Sequence, residues 1–157
     1  MPADSEPAMP ALPGPELPHT WRPLGPRIVG AVVGTGLLAT FAVCWLTFPP
    51  ETRAKFTPFQ IGTMLVLGAL GFSCLHALLR SRAVARRDGL TVVNGYRRRE
   101  LAWEQVVAVR LPVGAPWVTL DLTDGTTVSV MGIQSSDGER AKQAVRQLRA
   151  LATELPR

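Results

Sequence analysis

The sequence predicts a membrane-anchored α+β protein: an N-terminal two-helix transmembrane hairpin, then an antiparallel β-barrel or sheet capped by a C-terminal helix. Three observations predict it. Two runs of 21 residues carry no formal charge. After residue 81 the apolar residues alternate with a period of two, and near the C-terminus they return to helical spacing. The chain of 157 residues then divides into a Pro-rich tail (1–26), the hairpin (27–80) and a β-rich domain (81–157).

The tail, "MPADSEPAMPALPGPELPHTWRPLGP", holds eight prolines. Proline lacks the amide donor that helices and sheet ladders need, so this segment is expected to stay disordered and to pair with nothing. "IVGAVVGTGLLATFAVCWLTF" (28–48) follows, and after a proline-bracketed turn, "PPETRAKFTP", comes "FQIGTMLVLGALGFSCLHALL" (59–79). As a helix each run would extend ~30 Å, the thickness of the bilayer hydrocarbon. A soluble core helix keeps a polar face, and these runs have none. The first run is expected to remain in the protein rather than act as a cleaved leader, because a long acidic tail precedes it in place of a short basic one.

Arginine sets the expected orientation. Arg80, Arg82, Arg86 and Arg87 follow the second run, against Arg53 and Lys55 in the loop between the runs. Basic residues are retained on the cytoplasmic side. Both termini are therefore expected in the cytoplasm, at the plasma membrane, with the loop outside. Gly30 and Gly34 make a small-xxx-small step, and Gly68 and Gly71 lie in the second run; glycines let helix backbones approach closely. They point either to packing within the hairpin or to a seam between two copies. His76 has no carboxylate partner in either run and is expected to snorkel to the interface.

Beyond residue 81, "RAVAR" and "LTVVNG" flank Asp88-Gly89, and "YRRRELAW" follows Asn94-Gly95. "QVVAVRL" is a fourth strand, and "WVTLDLT" and "TVSVMGI" flank Asp124-Gly125. Asp-Gly and Asn-Gly are preferred hairpin turns. Val118, Leu120, Leu122, Val128 and Val130 are expected on the core face, with Trp117, Thr119 and Asp121 opposite. Trp103 is expected to pack under the sheet. Ser136 with Glu139 three residues on reads as a capping box. It opens a helix whose apolar face is Ala141, Ala144, Val145, Leu148 and Leu151.

Antiparallel strands followed by one capping helix is the pleckstrin-homology (PH) order. Residues 88–111, "DGLTVVNGYRRRELAWEQVVAVRL", and 116–134, "PWVTLDLTDGTTVSVMGIQ", resemble a bacterial PH domain of the actinobacterial low-molecular-weight protein antigen type. The two apolar runs and the Pro-rich tail also resemble the layout of that family. The resemblance implies a PH-like fold with membrane attachment, and no activity.

The net charge of +5 belongs to the C-terminal part, where residues 80–157 hold thirteen Arg/Lys against eight Asp/Glu. A basic surface fits an anionic membrane or nucleic acid. Nucleic acid is disfavoured, because Trp103 and Trp117 are not interleaved with the arginines as a stacking platform requires. Cys44 and Cys74 both lie in apolar runs, which excludes a zinc cluster. No H-E-x-x-H, C-x-x-C or G-x-S-x-G is present, so no catalytic residue, metal ligand or cofactor is assigned and the protein is expected not to be an enzyme. The functional candidates are Arg97, Arg98 and Arg99 of "YRRR", with Arg86 and Arg87 on the preceding hairpin. Arginine forks suit phosphate oxygens, so anionic lipid headgroups are the expected ligand. The alternatives are a solvated edge strand whose charges discourage pairing with other chains, and, separately, a protein partner. The leading functional reading is a binding or scaffold module at the inner membrane face. The alternative is an accessory subunit of a cell-envelope complex, recognised through its transmembrane helices.

Overall fold

Trp21 ties the segment before the first long helix to the rest of the protein. The structure, a computed structural model, describes residues 15–155. Its first strand, β1 (His19–Trp21), pairs antiparallel with β2 (Arg82–Arg86), setting Trp21 opposite Ala83. The Trp21 side chain is buried and its Nε1 donates to Gln147 Oε1 at 3.1 Å. This corrects the expectation that residues 1–26 pair with nothing. Prolines 18 and 23 bracket a proline-free triplet, and an edge strand of that length needs only one partner. Residues 1–14 of the tail lie outside the described residues.

The two apolar runs form α1 (Gly25–Thr47) and α3 (Pro58–Arg80), each of 23 residues and long and apolar enough to cross a membrane. Both are strongly apolar, yet almost none of either is buried against the rest of the protein. Core helices of a soluble fold would be mostly covered, so these two face outward into whatever surrounds them. The connection is not a plain turn: residues Pro50–Ala54 form a short helix, α2, with Pro50 at its first position, where the missing amide costs nothing. Phe56 packs edge-on to Trp45 and stacks with Phe48, closing this end of the hairpin. Thr57 and Gln60 form a reciprocal cap at the start of α3.

The remainder holds β3 (Gly89–Asn94), β4 (Arg97–Leu101), β5 (Val106–Arg110), β6 (Trp117–Leu122), β7 (Thr127–Gln134) and the helix α4 (Glu139–Glu154). The six expected strands are present, and β1 makes a seventh. They do not close into one barrel. β1-β2-β3-β4 form one antiparallel sheet and β5-β6-β7 another, two layers of a PH-like sandwich. The sheets meet where β7 crosses β2 at Gly132: a Cβ there would lie 2.6 Å from Ala83 N and Arg82 C. Asn94 fastens the same corner, its Nδ2 donating to Ser129 O at 2.6 Å and its Oδ1 accepting from Met131 N at 3.0 Å.

One apolar cluster joins both sheets to α4. Val118, Leu120, Leu122, Val128 and Val130 are all buried, as the alternation predicts, and so are Ala141, Ala144, Val145, Leu148 and Leu151. Each fully buried Leu or Val contributes roughly 1.5–3 kcal/mol, and Leu90, Val92 and Leu101 of the first sheet join the same cluster. Trp103 is buried and its Nε1 donates to Arg86 O at 2.9 Å. The expected Ser136–Glu139 capping box is absent. Residues Ser135–Asp137 make a single 3₁₀ turn, Gly138 bends the chain at φ 58°, and α4 starts only at Glu139. The neighbour of Ser136, Asp137, caps a different helix instead.

Candidate functional site

Both long helices are fastened to the sandwich at the same end. Asp137 accepts from the backbone amides of Leu24 and Gly25, at 3.0 Å and 2.9 Å. These are donors that α1 leaves free at its N-terminus, where a carboxylate also complements the helix dipole. At the end of α3, the β3–β4 turn is pressed against the last helical turns. Gly95 N donates to Ser81 Oγ at 3.0 Å, and a Cβ on Gly95 would sit 3.3 Å from that of Ala77. The Tyr96 hydroxyl lies 3.0 Å from Ser73 Oγ and 3.2 Å from His76 Nδ1, and it donates to Ser73 O at 3.0 Å. Arg80 lies 6.0 Å from the Tyr96 ring centre. The histidine expected to snorkel alone therefore has a partner, supplied by a turn 20 residues later.

This junction orders the arginines. Arg82 opens β2 opposite Val93, and Arg97 opens β4 opposite Asn94, so both lie at the helix end of the sheet. Arg80 is the last residue of α3, Arg22 follows β1, and Arg27 stands in the first turn of α1. Arg86 pairs with Gly89 at the other end of the same sheet. Five strand positions separate Gly89 from Asn94, or ~16 Å at ~3.3 Å per residue. The five candidate arginines are thus not brought together. Arg97 belongs with Arg22, Arg27, Arg80 and Arg82, whereas Arg86 and Arg87 mark the far end. Between them, Arg98 is ion-paired with Glu100 on the exposed face, and Arg99 lies opposite buried Val92. The sequence reading omitted Arg22 because it assigned residues 1–26 to a tail, and Arg27 because it counted it with the hairpin. The signal was Arg27 directly ahead of the first apolar residue, Ile28.

The glycines divide as well. At Gly30 a Cβ would meet Leu75 Cδ1 at 2.8 Å and Leu79 Cδ2 at 3.1 Å, and at Gly34 Leu75 Cδ2 at 2.9 Å. Both serve packing of α1 on α3. Gly68 and Gly71 have nothing within 4 Å of a Cβ and line an open apolar groove of about 910 Å³ between the two helices.

Among the described residues no catalytic constellation emerges elsewhere. A groove of about 550 Å³ runs between β5 and the end of α4, lined by Trp103, Val107, Val109, Arg149 and Thr153 among others. The guanidinium of Arg149 is committed to Val109 O at 2.9 Å. Among the described residues no group of three His, Cys, Asp or Glu could hold a metal ion. Two carboxyls titrate below their ordinary values. Asp124 is lowered by hydrogen bonds from the hydroxyl and then the amide of Thr126, with Arg99 adding a smaller attraction, and Glu139 is lowered by Lys142. Both are exposed and belong to local turn and helix chemistry.

Residues 80–151 match the family model of the bacterial PH domain. The chain is also 35% identical, over 96 residues, to an uncharacterized protein of Mycobacterium bovis and to uncharacterized proteins of two strains of Mycobacterium tuberculosis. The match covers 59% of this chain and spans 62% of the length of each relative. No solved structure matches the chain. No enzyme family is indicated. The region from the last turn of α3 through α4 is thus similar to bacterial PH domains in sequence, and the paired antiparallel sheets with one C-terminal helix are PH-like in architecture.

Proposed function

We propose that the protein is a non-enzymatic, membrane-tethered PH-like binding module that lies against the inner face of the plasma membrane and contacts anionic lipid headgroups. One observation carries the reading: α1 and α3 are both fastened to the same end of the sandwich, and that end carries Arg22, Arg27, Arg80, Arg82 and Arg97. With the two helices in the bilayer, these guanidiniums stand at headgroup level. Each basic group near an anionic leaflet is worth about 1 kcal/mol, and the tether keeps them at high local concentration there. Arg86 and Arg87, at the opposite end, stand away from the lipid and are left for solvent or a protein partner.

The test uses the full chain in nanodiscs, because Trp21 belongs to the core and a fragment starting at residue 81 would lack it. Amide hydrogen exchange through the β3–β4 turn and β4 is compared in zwitterionic and anionic discs across a salt series. Slower exchange in anionic discs, weakened by salt and reduced by Arg97→Ser but not by Arg86→Ser with Arg87→Ser, is the expected result. Equal exchange in both lipids would overturn lipid contact.

A second reading, an accessory subunit of an envelope complex recognised through its helices, is favoured by Gly68 and Gly71. They stand unpacked along an apolar groove that a further helix from a partner, or from a second copy in a homodimer, would fill.

A further inference from the structure

We infer that the loop between β5 and β6 is a third, shallow contact with the bilayer, with Val113 as its inserted tip. The inference deepens the proposed function and rests on α1 and α3 crossing the membrane.

The loop reads "LPVGAP" (111–116) and is followed by Trp117; between Arg110 and Asp121 the chain carries no charge. Its tip is a defined turn. Ala115 N donates to Pro112 O at 3.0 Å, and Gly114 takes φ 84°, a left-handed conformation that glycine adopts without strain. Val113 stands ahead of it and is fully exposed, with a relative accessibility of 107%. Two prolines and a closed turn hold it there, so little conformational freedom is lost if the tip enters a second phase.

Position distinguishes this valine from an ordinary exposed one. The base of the loop, Pro116 O, accepts from Ser135 N at 3.0 Å and from Ser135 Oγ at 3.3 Å. Two residues beyond Ser135, Asp137 holds the first amides of α1. In register, Trp117 stands opposite Gln134, the last residue of β7 before that turn. The loop thus springs from the helix end of the sandwich. The turns at the opposite end differ in kind: Arg87 and Asp88 between β2 and β3, and Thr123, Asp124 and Gly125 between β6 and β7, are polar and exposed. The helix end thus sets one apolar loop tip beside its arginines, whereas these far-end turns are polar. Trp117, half-buried and next to the tip, is the kind of residue that favours the boundary between lipid and water. Arg110 at the other side is ion-paired with Asp121 at 2.6 Å, so its charge is partly neutralised where the chain approaches the apolar tip.

The test places an environment-sensitive fluorophore on a single cysteine in the full chain, with Cys44→Ala and Cys74→Ala. The three positions are Val113→Cys, Thr123→Cys at the far turn, and Leu67→Cys within α3. Nanodiscs contain lipids with a nitroxide either high on the acyl chain or near its end. The expected result is a blue-shifted emission at 113 that is lost with the shallow nitroxide, no effect at 123, and loss with the deep nitroxide at 67. Quenching at 67 without quenching at 113 overturns the loop contact and leaves the hairpin reading standing, including the case where emission at 113 is blue-shifted by a protein neighbour instead. No quenching at either position overturns both.

Discussion

The Tyr96 hydroxyl stands 3.2 Å from His76 Nδ1 and donates to Ser73 O, so a turn of the sandwich is hydrogen-bonded to the penultimate turns of the helix that precedes it. The ring is 58% exposed, which limits what the contact is worth. Tyr96→Phe is expected to cost under about 1 kcal/mol, the lower range for a hydrogen bond whose partners can turn to water. Tyr96→Ala also removes the ring beneath Arg80, a cation–π contact of about 0.5–1 kcal/mol. Hydrogen exchange should speed at residues 94–97 and at the end of α3, while the melting temperature of the sandwich hardly moves. A large drop in that temperature would mean that Tyr96 belongs to the core rather than to the junction.

Asp137 is the corresponding fastening on α1, and it meets two amides 113 and 112 positions earlier in the chain. Loss of a helix-capping oxygen costs about 0.5–2 kcal/mol. Asp137→Ala should destabilise the full chain in detergent by that amount and free the first turn of α1, seen as faster exchange at residues 24–28. Asp137→Asn, which keeps an acceptor but not the charge at the helix N-terminus, should lose less.

Within the hairpin the glycines make opposite predictions. Gly34→Leu places a branched side chain where a single carbon would already stand 2.9 Å from Leu75, and should separate α1 from α3. An engineered cysteine pair across this contact would then no longer crosslink. Gly68→Leu, in open space, should leave the crosslink and the melting temperature unchanged. If Gly68→Leu instead abolishes co-purification of a membrane partner, the accessory-subunit reading gains over the lipid one.

Gly132 is, with Gly89, among the least replaceable glycines in the sandwich. Its Cβ position collides with backbone, not with a side chain that can swing aside. Overpacking of that kind costs about 1–3 kcal/mol or more, so Gly132→Ala should lower the denaturation midpoint sharply. Gly36→Ala, with nothing within 4 Å, is the matched control.

Asp124 predicts part of the acid limb of stability. Thr126 donates to its carboxylate from both the amide, at 2.8 Å, and the hydroxyl, at 2.7 Å, and the folded pKa lies below the unfolded one. A depressed carboxyl contributes stability that is complete above the unfolded value, about 4, and disappears as pH falls through the lowered folded value. Asp124→Asn should therefore reduce stability at neutral pH and flatten its dependence on pH below about 4. An unchanged acid limb in pH-resolved denaturation would show that the Thr126 contacts are made equally in the unfolded chain.

The outline of the fold could be read from the chain because its signals are local. The charge-free runs, the alternation through Val118, Leu120 and Leu122, and the helical spacing from Ala141 to Leu151 each lie within one element, and each matches the burial observed. The misreadings have one origin, contacts between residues far apart in sequence. Composition gave Trp21 to a tail, because nothing near it shows that Ala83 and Gln147 wait on the folded surface. Ser136 and Glu139 carry a capping pattern, but the 3₁₀ turn turns Asp137 outward to α1 instead. Adjacent arginine pairs look like one patch until the register sets Arg86 and Arg97 at opposite ends of a sheet.

The sequence by itself determined which segments are apolar, which alternate, where the chain turns and where the charge lies, since periodicity and composition are properties of neighbours. Only the tertiary structure decided that both helices meet the sandwich at one end, that β7 crosses β2 through Gly132, and which arginines and which loop share the helix end. Those facts follow from contacts closed across 14 to 113 positions of chain, and a side chain carries no local mark of the partner it will meet.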